Sequence, residues 1–338
     1  MNVLGIESSC DETSVAIISD GRLISNLVAS QDIHKAFGGV VPELSSRAHL
    51  QIILPLLKQS LKESNLDKNQ IDLVCVTAGP GLIGALLVGL TFGKGLSYSL
   101  KIPFVPVNHI EAHLYSGFLM ENKPEFPFLC LVVSGGHTLL LLVESFIVIN
   151  KLGSTIDDAA GEAFDKVSKL IGLGYPGGPK IQEAALGQMT DFTEFPIAKC
   201  KKEYDFSFSG LKTSVLRFIQ KEYDEPSKIP AEHLPLIAAS FQISAVNALI
   251  RNVDKALRNY KVNSICLVGG VAANQLLRDE FQKLSVKFKK KLVIPSLDLC
   301  GDNAAMIAYR GQSLFESGIR YGFDFNAFPS LYDYTFIK

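Results

Sequence analysis

The sequence carries no excess of charge of either sign. Across 338 residues, 33 Lys and Arg oppose 34 Asp and Glu, a formal net charge of -1. That excludes a protein that holds nucleic acid by bulk charge alone, while leaving room for local basic patches. Paired cysteine spacing is also missing. None of Cys10, Cys75, Cys130, Cys200, Cys266 and Cys300 forms a C-x-x-C, and Cys75, Cys130 and Cys266 sit in apolar runs, where a free thiol packs as a small hydrophobe. A disulfide framework is therefore excluded, and a reducing cytosol fits. Met1 leads into an apolar strand pattern with no basic n-region or small-residue cleavage site, so no secretory leader is expected. The apolar segment 82–96 contains Gly84, Gly89, Gly93, Gly95 and Lys94 and falls short of the roughly 20 residues that span a bilayer. It reads as a buried helix, so no membrane association and a cytoplasmic location are expected.

Hydrophobic residues make up 47% and charged residues 20%, enough for a large core, and the length suggests about two domains. The chain opens with apolar segments at 2–6, 13–18 and 23–29, separated by a polar turn over 7–12 and by Asp20-Gly21. A long helix follows over 42–64, then a strand at 71–77, a helix at 82–99, a strand at 102–107 and a helix from His109. The order restarts with strands at 128–133 and 138–143 around Ser134-Gly135-Gly136-His137, and later strands at 265–268 and 292–294 feed helices near Asn274 and Asp302. This is an internal repeat of pattern rather than of identity, and strands alternating with helices imply α/β lobes. The expected boundaries are a first lobe over 1–122, a second over 123–302 with a helical insertion at about 153–235, and a C-terminal helix over 303–325 that packs back on the first lobe.

His109-Ile110-Glu111-Ala112-His113 follows a strand, and two His at i and i+4 share one helical face, within reach of one ion or serving as helix-packing residues. The motif differs from the zincin H-E-x-x-H. Glu111 lies two residues beyond the first His, about 200° around the helix, and points away from the pair. A zinc protease is therefore disfavoured. In the second half the matching place is Gly301-Asp302-Asn303. If the two lobes are related by a pseudo-twofold, Asp302 completes a His, His, Asp set suited to Fe(II) or Zn(II); otherwise it is an N-cap.

The first hairpin turn carries Ser8, Ser9, Cys10, Asp11 and Glu12, and the second carries Ser134, Gly135, Gly136 and His137. Glycine lets backbone approach and cradle a phosphate, although any tight hairpin also favours it. Paired hairpins at matching positions resemble the two-lobed actin-like ATPase architecture (the ASKHA, duplicated RNase H-like fold). A small-molecule kinase or ATPase of that fold is one alternative reading, and a metalloprotease-like protein is another. Gly269 to Asn274 stands between strand and helix, suited to an adenosine or to a plain helix cap, and the Gly/Pro run at 174–179 is a loop or a ligand wall.

These stretches, with the rest of the chain, resemble the TsaD family (also called Gcp or YgjD) from end to end. They read GIESSCDETSVAI, GGVVPELSSRAH, AGPGLIGALLVG, VNHIEAHLYSG, LVVSGGHT, DDAAGEAFDKV, GYPGGP, DFSFSGLKT, VGGVAANQLLR and CGDNAAMIAY. The resemblance implies transfer of threonylcarbamoyl from threonylcarbamoyl-AMP to N6 of the adenosine 3′ of the anticodon, in tRNAs reading ANN codons, with release of AMP. By matching position it implies that His109, His113 and Asp302 hold one divalent metal, Fe(II) foremost or Zn(II). It puts Val132, Val133, Ser134, Gly135, Gly136, Asp165, Gly178 and Asn274 around the adenylate, and Asp11, Glu12 and His137 near the reacting group. It further implies a TsaB-like paralogue and a TsaE-like ATPase as partners. Two positions depart from the family pattern: Gly301, where Ser or Thr is usual, and Gln182, where a carboxylate is common.

Overall fold

A computed structural model describes residues 1–31, 34, 39–188 and 192–330. The chain begins with β1 (Asn2–Glu7), β2 (Glu12–Ser19) and β3 (Arg22–Ser30), an antiparallel meander whose second turn places Asp20 and Gly21 at positive φ. Two consecutive left-handed residues suit the twist of a two-residue hairpin. Helix α1 (Pro42–Glu63), strand β4 (Leu73–Gly79), helix α2 (Ile83–Leu100), strand β5 (Phe104–Asn108) and helix α3 (His109–Tyr115) follow. β4 and β5 add in parallel, giving the order β3-β2-β1-β4-β5. β1, β2 and β4 are near-continuous apolar runs, as expected of a sheet covered on both faces. Leu4, Ile6, Val15 and Val76 pack with Ile53 and Leu57 of α1 and Leu90 of α2.

A second unit covers Pro124–Ile294. It contains β6 (Phe128–Val133), β7 (Thr138–Val143), β8 (Ile149–Ser154), α4 (Ala160–Leu170), α5 (Gly177–Ala184), α6 (Ser209–Tyr223), α7 (Leu234–Asn259), β9 (Ser264–Val268), α8 (Gln275–Phe288) and β10 (Lys291–Val293). The sheet order is β10-β9-β6-β7-β8, the same five-strand arrangement as in the first unit, with the same antiparallel meander and parallel extension. The repeat seen in the sequence is thus a repeat of topology. β8, the counterpart of β3, escapes the sequence reading because its alternation is weak.

The chain then returns to the first unit, which comprises Met1–Lys123 and the residues from Pro295 onward, adding the short helix α9 (Leu297–Cys300) and α10 (Ala304–Glu316). The sequence boundary at 302 is therefore displaced, and Asp302 belongs to the first unit. Helix α10 ends well short of 325, because Gly318 takes φ +84 after the last turn and stops it. The following residues run without helix, Phe328 N–H donating to the Ala78 carbonyl at 2.9 Å. α10 crosses β1 at Gly5, where an added Cβ meets the Ala304 carbonyl oxygen at 2.2 Å. Met306, Ile307 and Ala308 pack there on Val3, Leu73 and Cys75. By length and composition α2 and α7 are apolar enough to cross a membrane, but 61% of the α7 window is buried inside the protein, as in a core helix.

Candidate metal centre and nucleotide cavity

All three expected metal ligands lie in the first unit, so the set is not assembled from two lobes as the pseudo-twofold expectation had it. α3 starts directly at the end of β5, where the Asn108 side chain accepts the Glu111 N–H at 3.0 Å and caps the helix. His109 and His113 stand one turn apart with rings nearly perpendicular, centroids 4.7 Å apart. Asp302 precedes the true N-cap of α10, which is Asn303: its side chain accepts the Met306 N–H at 3.1 Å, and the Ser14 hydroxyl accepts the Ala304 N–H at 2.8 Å. The carboxylate of Asp302 is thereby free of capping duty. Its Oδ1 lies 3.1 Å from His113 Nε2 and 3.4 Å from His109 Nε2, and the two Nε2 atoms are 3.2 Å apart.

Burial disfavours charge on all three groups, yet their mutual pull overrides it for two of them. Against the effect of burial, Asp302 and Glu7 raise the His109 imidazole well above its ordinary range. His109 and His113 together hold Asp302 well below the usual carboxylate range. For His113 burial prevails and its pKa falls. Two imidazole nitrogens and a carboxylate oxygen converging on one point, nearly dry, form the donor set of a borderline divalent cation such as Fe(II) or Zn(II). The residues fit that group. His113 Nδ1 is buried with no hydrogen-bond partner among the described residues, whereas His109 Nδ1 faces Glu7 Oε2 at 3.0 Å.

Beside the set runs the 8–11 turn. The Ser9 carbonyl accepts the Leu82 N–H at 2.8 Å, and the Ser45 hydroxyl donates to the Cys10 carbonyl. His49 Nε2, 3.1 Å from that same carbonyl, must be its donor, leaving Nδ1 to accept from the Thr13 hydroxyl at 2.7 Å. Nothing in the sequence had singled out this buried histidine, because its partners lie 36 and 39 residues away. Burial, Asp11 and Asp302 all push the Cys10 thiol up, so it is no ready nucleophile. Burial, then Asp302 and Asp11, push the Glu12 carboxyl up to about 9. A dication among these groups opposes both shifts.

Glu111 points away from the histidines, as expected, onto Arg310 of α10 at 2.6 Å. A zincin-type general base is therefore absent from the His pair.

In the second unit a cavity of about 270 Å³ is walled by Gly135, Gly161, Phe164, Asp165, Gly178 and Asn274, among others. It is concave and mostly apolar with a few polar groups, the form taken by small-molecule sites. Four of the eight residues expected around the adenylate, Gly135, Asp165, Gly178 and Asn274, line it. The side chains of Val132 and Val133 are buried in β6 and do not reach it. Ser134 is occupied with the turn, its Oγ accepting the His137 N–H at 3.2 Å, and Gly136 stands exposed at the tip. His137 is half-buried in this unit, while Asp11 and Glu12 belong to the other. Gly269 takes φ +93, and a Cβ there meets the Val133 carbonyl oxygen at 2.4 Å, so glycine is required for this turn to approach β6. Asn274 caps α8 through Leu277 N–H and donates to Gln242 Oε1 at 2.8 Å. Gln182 accepts the Gln275 N–H at 2.7 Å, a contact open to either an amide or a carboxylate oxygen.

The family model of TsaD, tRNA N6-adenosine threonylcarbamoyltransferase, matches residues 22–309. A tRNA N6-adenosine threonylcarbamoyltransferase of Thermosipho africanus is 50% identical over 333 residues, covering 98% of this chain and 99% of its own. That of Symbiobacterium thermophilum is 46% identical over 331 residues, covering 97% and 96%. Among solved structures, T. kodakarensis HypF matches at TM-score 0.66 with 12% identity, over 94% of this chain and 48% of that one. The activator of the 2-hydroxyisocaproyl-CoA dehydratase from Clostridium difficile matches at 0.53 with 14% identity, over 95% and 99%. At such identities these structures bear on the fold alone, and they agree with the actin-like class.

Proposed function

The chain belongs to the TsaD family of tRNA N6-adenosine threonylcarbamoyltransferases, and from that premise we propose that it works with one divalent metal held by His109, His113 and Asp302. As a member it transfers a threonylcarbamoyl group to N6 of an adenosine in tRNA. The donor we assign is threonylcarbamoyl-AMP, and the target is the adenosine 3′ of the anticodon in tRNAs reading ANN codons. The metal is Fe(II), with Zn(II) as the alternative. The observation that carries this reading is the meeting of three ligand atoms, all within 4.8 Å of one another, behind a turn bearing Asp11 and Glu12.

The chemistry is an acyl-type transfer. The amine N6 forms a bond to the carbamoyl carbon, the carbon–oxygen bond to phosphate breaks, AMP departs, and the amine gives up a proton. A bound dication supplies Lewis-acid stabilisation of negative charge. The adenylate of the donor occupies the cavity of the second unit, with Asp165 and Asn274 offering polar contacts and the glycines admitting the base. Backbone N–H groups of Gly135 and Gly136 steady the phosphate, the Ser134 N–H being held by the His137 carbonyl at 2.8 Å. In the first unit Asp11 takes the amine proton beside Glu12, and in the second His137 closes the turn that steadies the phosphate. Cys10 needs no covalent role.

Partners are a TsaB-like paralogue and a TsaE-like ATPase, in the cytoplasm. Exposed Ile83 and Leu87 on α2, and exposed Leu50 and Leu54 on α1, which packs against α2, support a docking face for the paralogue. Reconstitution with tRNA, threonylcarbamoyl-AMP and these partners tests the reading by nucleoside mass spectrometry and metal analysis. His109→Ala is expected to lose bound metal and modification together. Full modification by metal-free protein overturns it.

A further inference from the structure

Glu7, the last residue of β1, is wholly buried. An ionised carboxylate in that position must have its lone pairs met. Three donors meet them. Oε1 accepts the Ser9 N–H at 2.5 Å, and Oε2 accepts the Thr77 hydroxyl at 2.5 Å and faces His109 Nδ1 at 3.0 Å. A carboxylate with no proton can only accept, so Nδ1 of His109 carries its hydrogen toward Glu7. With Nδ1 protonated, the neutral ring has its lone pair on Nε2, the atom that faces Asp302 Oδ1 and His113 Nε2.

We propose that Glu7 is a positioning residue: it fixes the tautomer and ring orientation of His109, so that Nε2 is presented as a ligand. The inference rests on the reading of His109, His113 and Asp302 as a metal-holding set. Outer partners of this kind set ligand basicity and orientation. The two histidines differ in this respect, since the corresponding nitrogen of His113 has no hydrogen-bond partner among the described residues. The arrangement also requires an acid rather than an amide at position 7. Glutamine there has one acceptor oxygen, and in either orientation its amide hydrogens meet a donor, the Ser9 N–H on one side or His109 Nδ1–H on the other, whereas the Thr77 hydroxyl can turn to the Ile6 carbonyl and accept.

The test titrates the metal-free full-length chain with Co(II), followed by visible absorption, for wild type, Glu7→Gln and His109→Ala, with thermal unfolding of the metal-free proteins as the structural control. Glu7→Gln is expected to stay folded and bind Co(II) about 10- to 100-fold more weakly. Wild-type affinity in Glu7→Gln, alongside loss in His109→Ala, overturns the positioning role and leaves the metal centre standing. Failure of the wild type to bind Co(II) in a manner that His109→Ala abolishes removes the metal centre, and the inference with it. A second measurement needs no variant of Glu7. Long-range proton–nitrogen correlation spectra of the zinc-loaded wild type should show His109 ligating through Nε2 with its proton on Nδ1. Ligation through Nδ1 overturns the proposal even if Glu7→Gln fails to fold.

Discussion

Arg310 directs Nε at 2.9 Å and Nη2 at 2.6 Å onto the same oxygen of Glu111, and neither side chain is exposed. The guanidinium also lies 4.5 Å from the ring centroid of Tyr115. Glu111 is on α3 between the two histidines and Arg310 is on α10 beyond Asp302, so one buried pair ties α3 to the helix that follows the third residue of the proposed metal-holding set. α3 has only seven residues, too few to hold helical form alone. Glu111→Ala takes from the buried guanidinium the carboxylate that Nε and Nη2 share and is expected to cost about 3–5 kcal/mol, read as a lower urea midpoint. Replacing both residues by Met should restore most of that loss. A single variant as stable as wild type contradicts the assignment.

Gly5 is where α10 lies against β1. Gly5→Val puts carbon into the Ala304 carbonyl oxygen, 2.2 Å from an added Cβ. Backbone cannot yield there as a flexible side chain can, so a loss of at least about 1–3 kcal/mol is expected in thermal unfolding. Because Ala304 begins the helix that follows Asp302, metal affinity should fall as well, and unchanged affinity would show that the carboxylate is placed independently of this contact.

Gly301 is the converse case. An added Cβ meets nothing within 4 Å, and φ is -76, a value open to any residue. Gly301→Ser should leave stability within about 0.5 kcal/mol of wild type. Calorimetry checks this, and a larger loss would mean that the loop before Asp302 tolerates less than its open surroundings indicate.

Asp158 supplies a pH test away from the metal centre. Burial raises its pKa, but Lys166 at 2.8 Å and Lys212 at 3.5 Å outweigh burial and hold the carboxyl below its ordinary 3.8. The folded value is the lower one, so the stabilisation is complete above the unfolded value and is lost as pH falls through the folded value. Urea titrations of wild type and Asp158→Asn should therefore differ near neutral pH and converge as pH falls below the folded value of the Asp158 carboxyl. A gap independent of pH would assign the effect to packing.

Some of this was legible in sequence because it is local. The hairpins β1–β2 and β6–β7 announce themselves as apolar runs around polar turns, and the spacing of His109 and His113 puts both on one helical face. Asp302 was found by the parity of two strand-to-helix junctions, although that same parity assigned it to the wrong unit. What stayed hidden depends on distant partners. Glu7 reads as the first residue of a polar turn until it is seen at the end of β1, with Thr77 and His109, 70 and 102 residues away, around it. Arg310 looks like an ordinary helical cation, and only folding reveals that its partner is 199 residues earlier. Val132 and Val133 share a motif with the turn that follows, but strand alternation sends their side chains to opposite, covered faces of the sheet.

Because the first unit is built from both ends of the chain while Pro124–Ile294 is continuous, synthesis delivers the pieces in a fixed sequence. On the ribosome His109 and His113 emerge early, then the whole second unit, and only afterwards Asp302 with α10. A nascent chain therefore holds two imidazoles without the Asp302 carboxylate, and Glu111 without Arg310, while the whole of Pro124–Ile294 is made. His109, His113 and Asp302 therefore meet only after the whole second unit has been made.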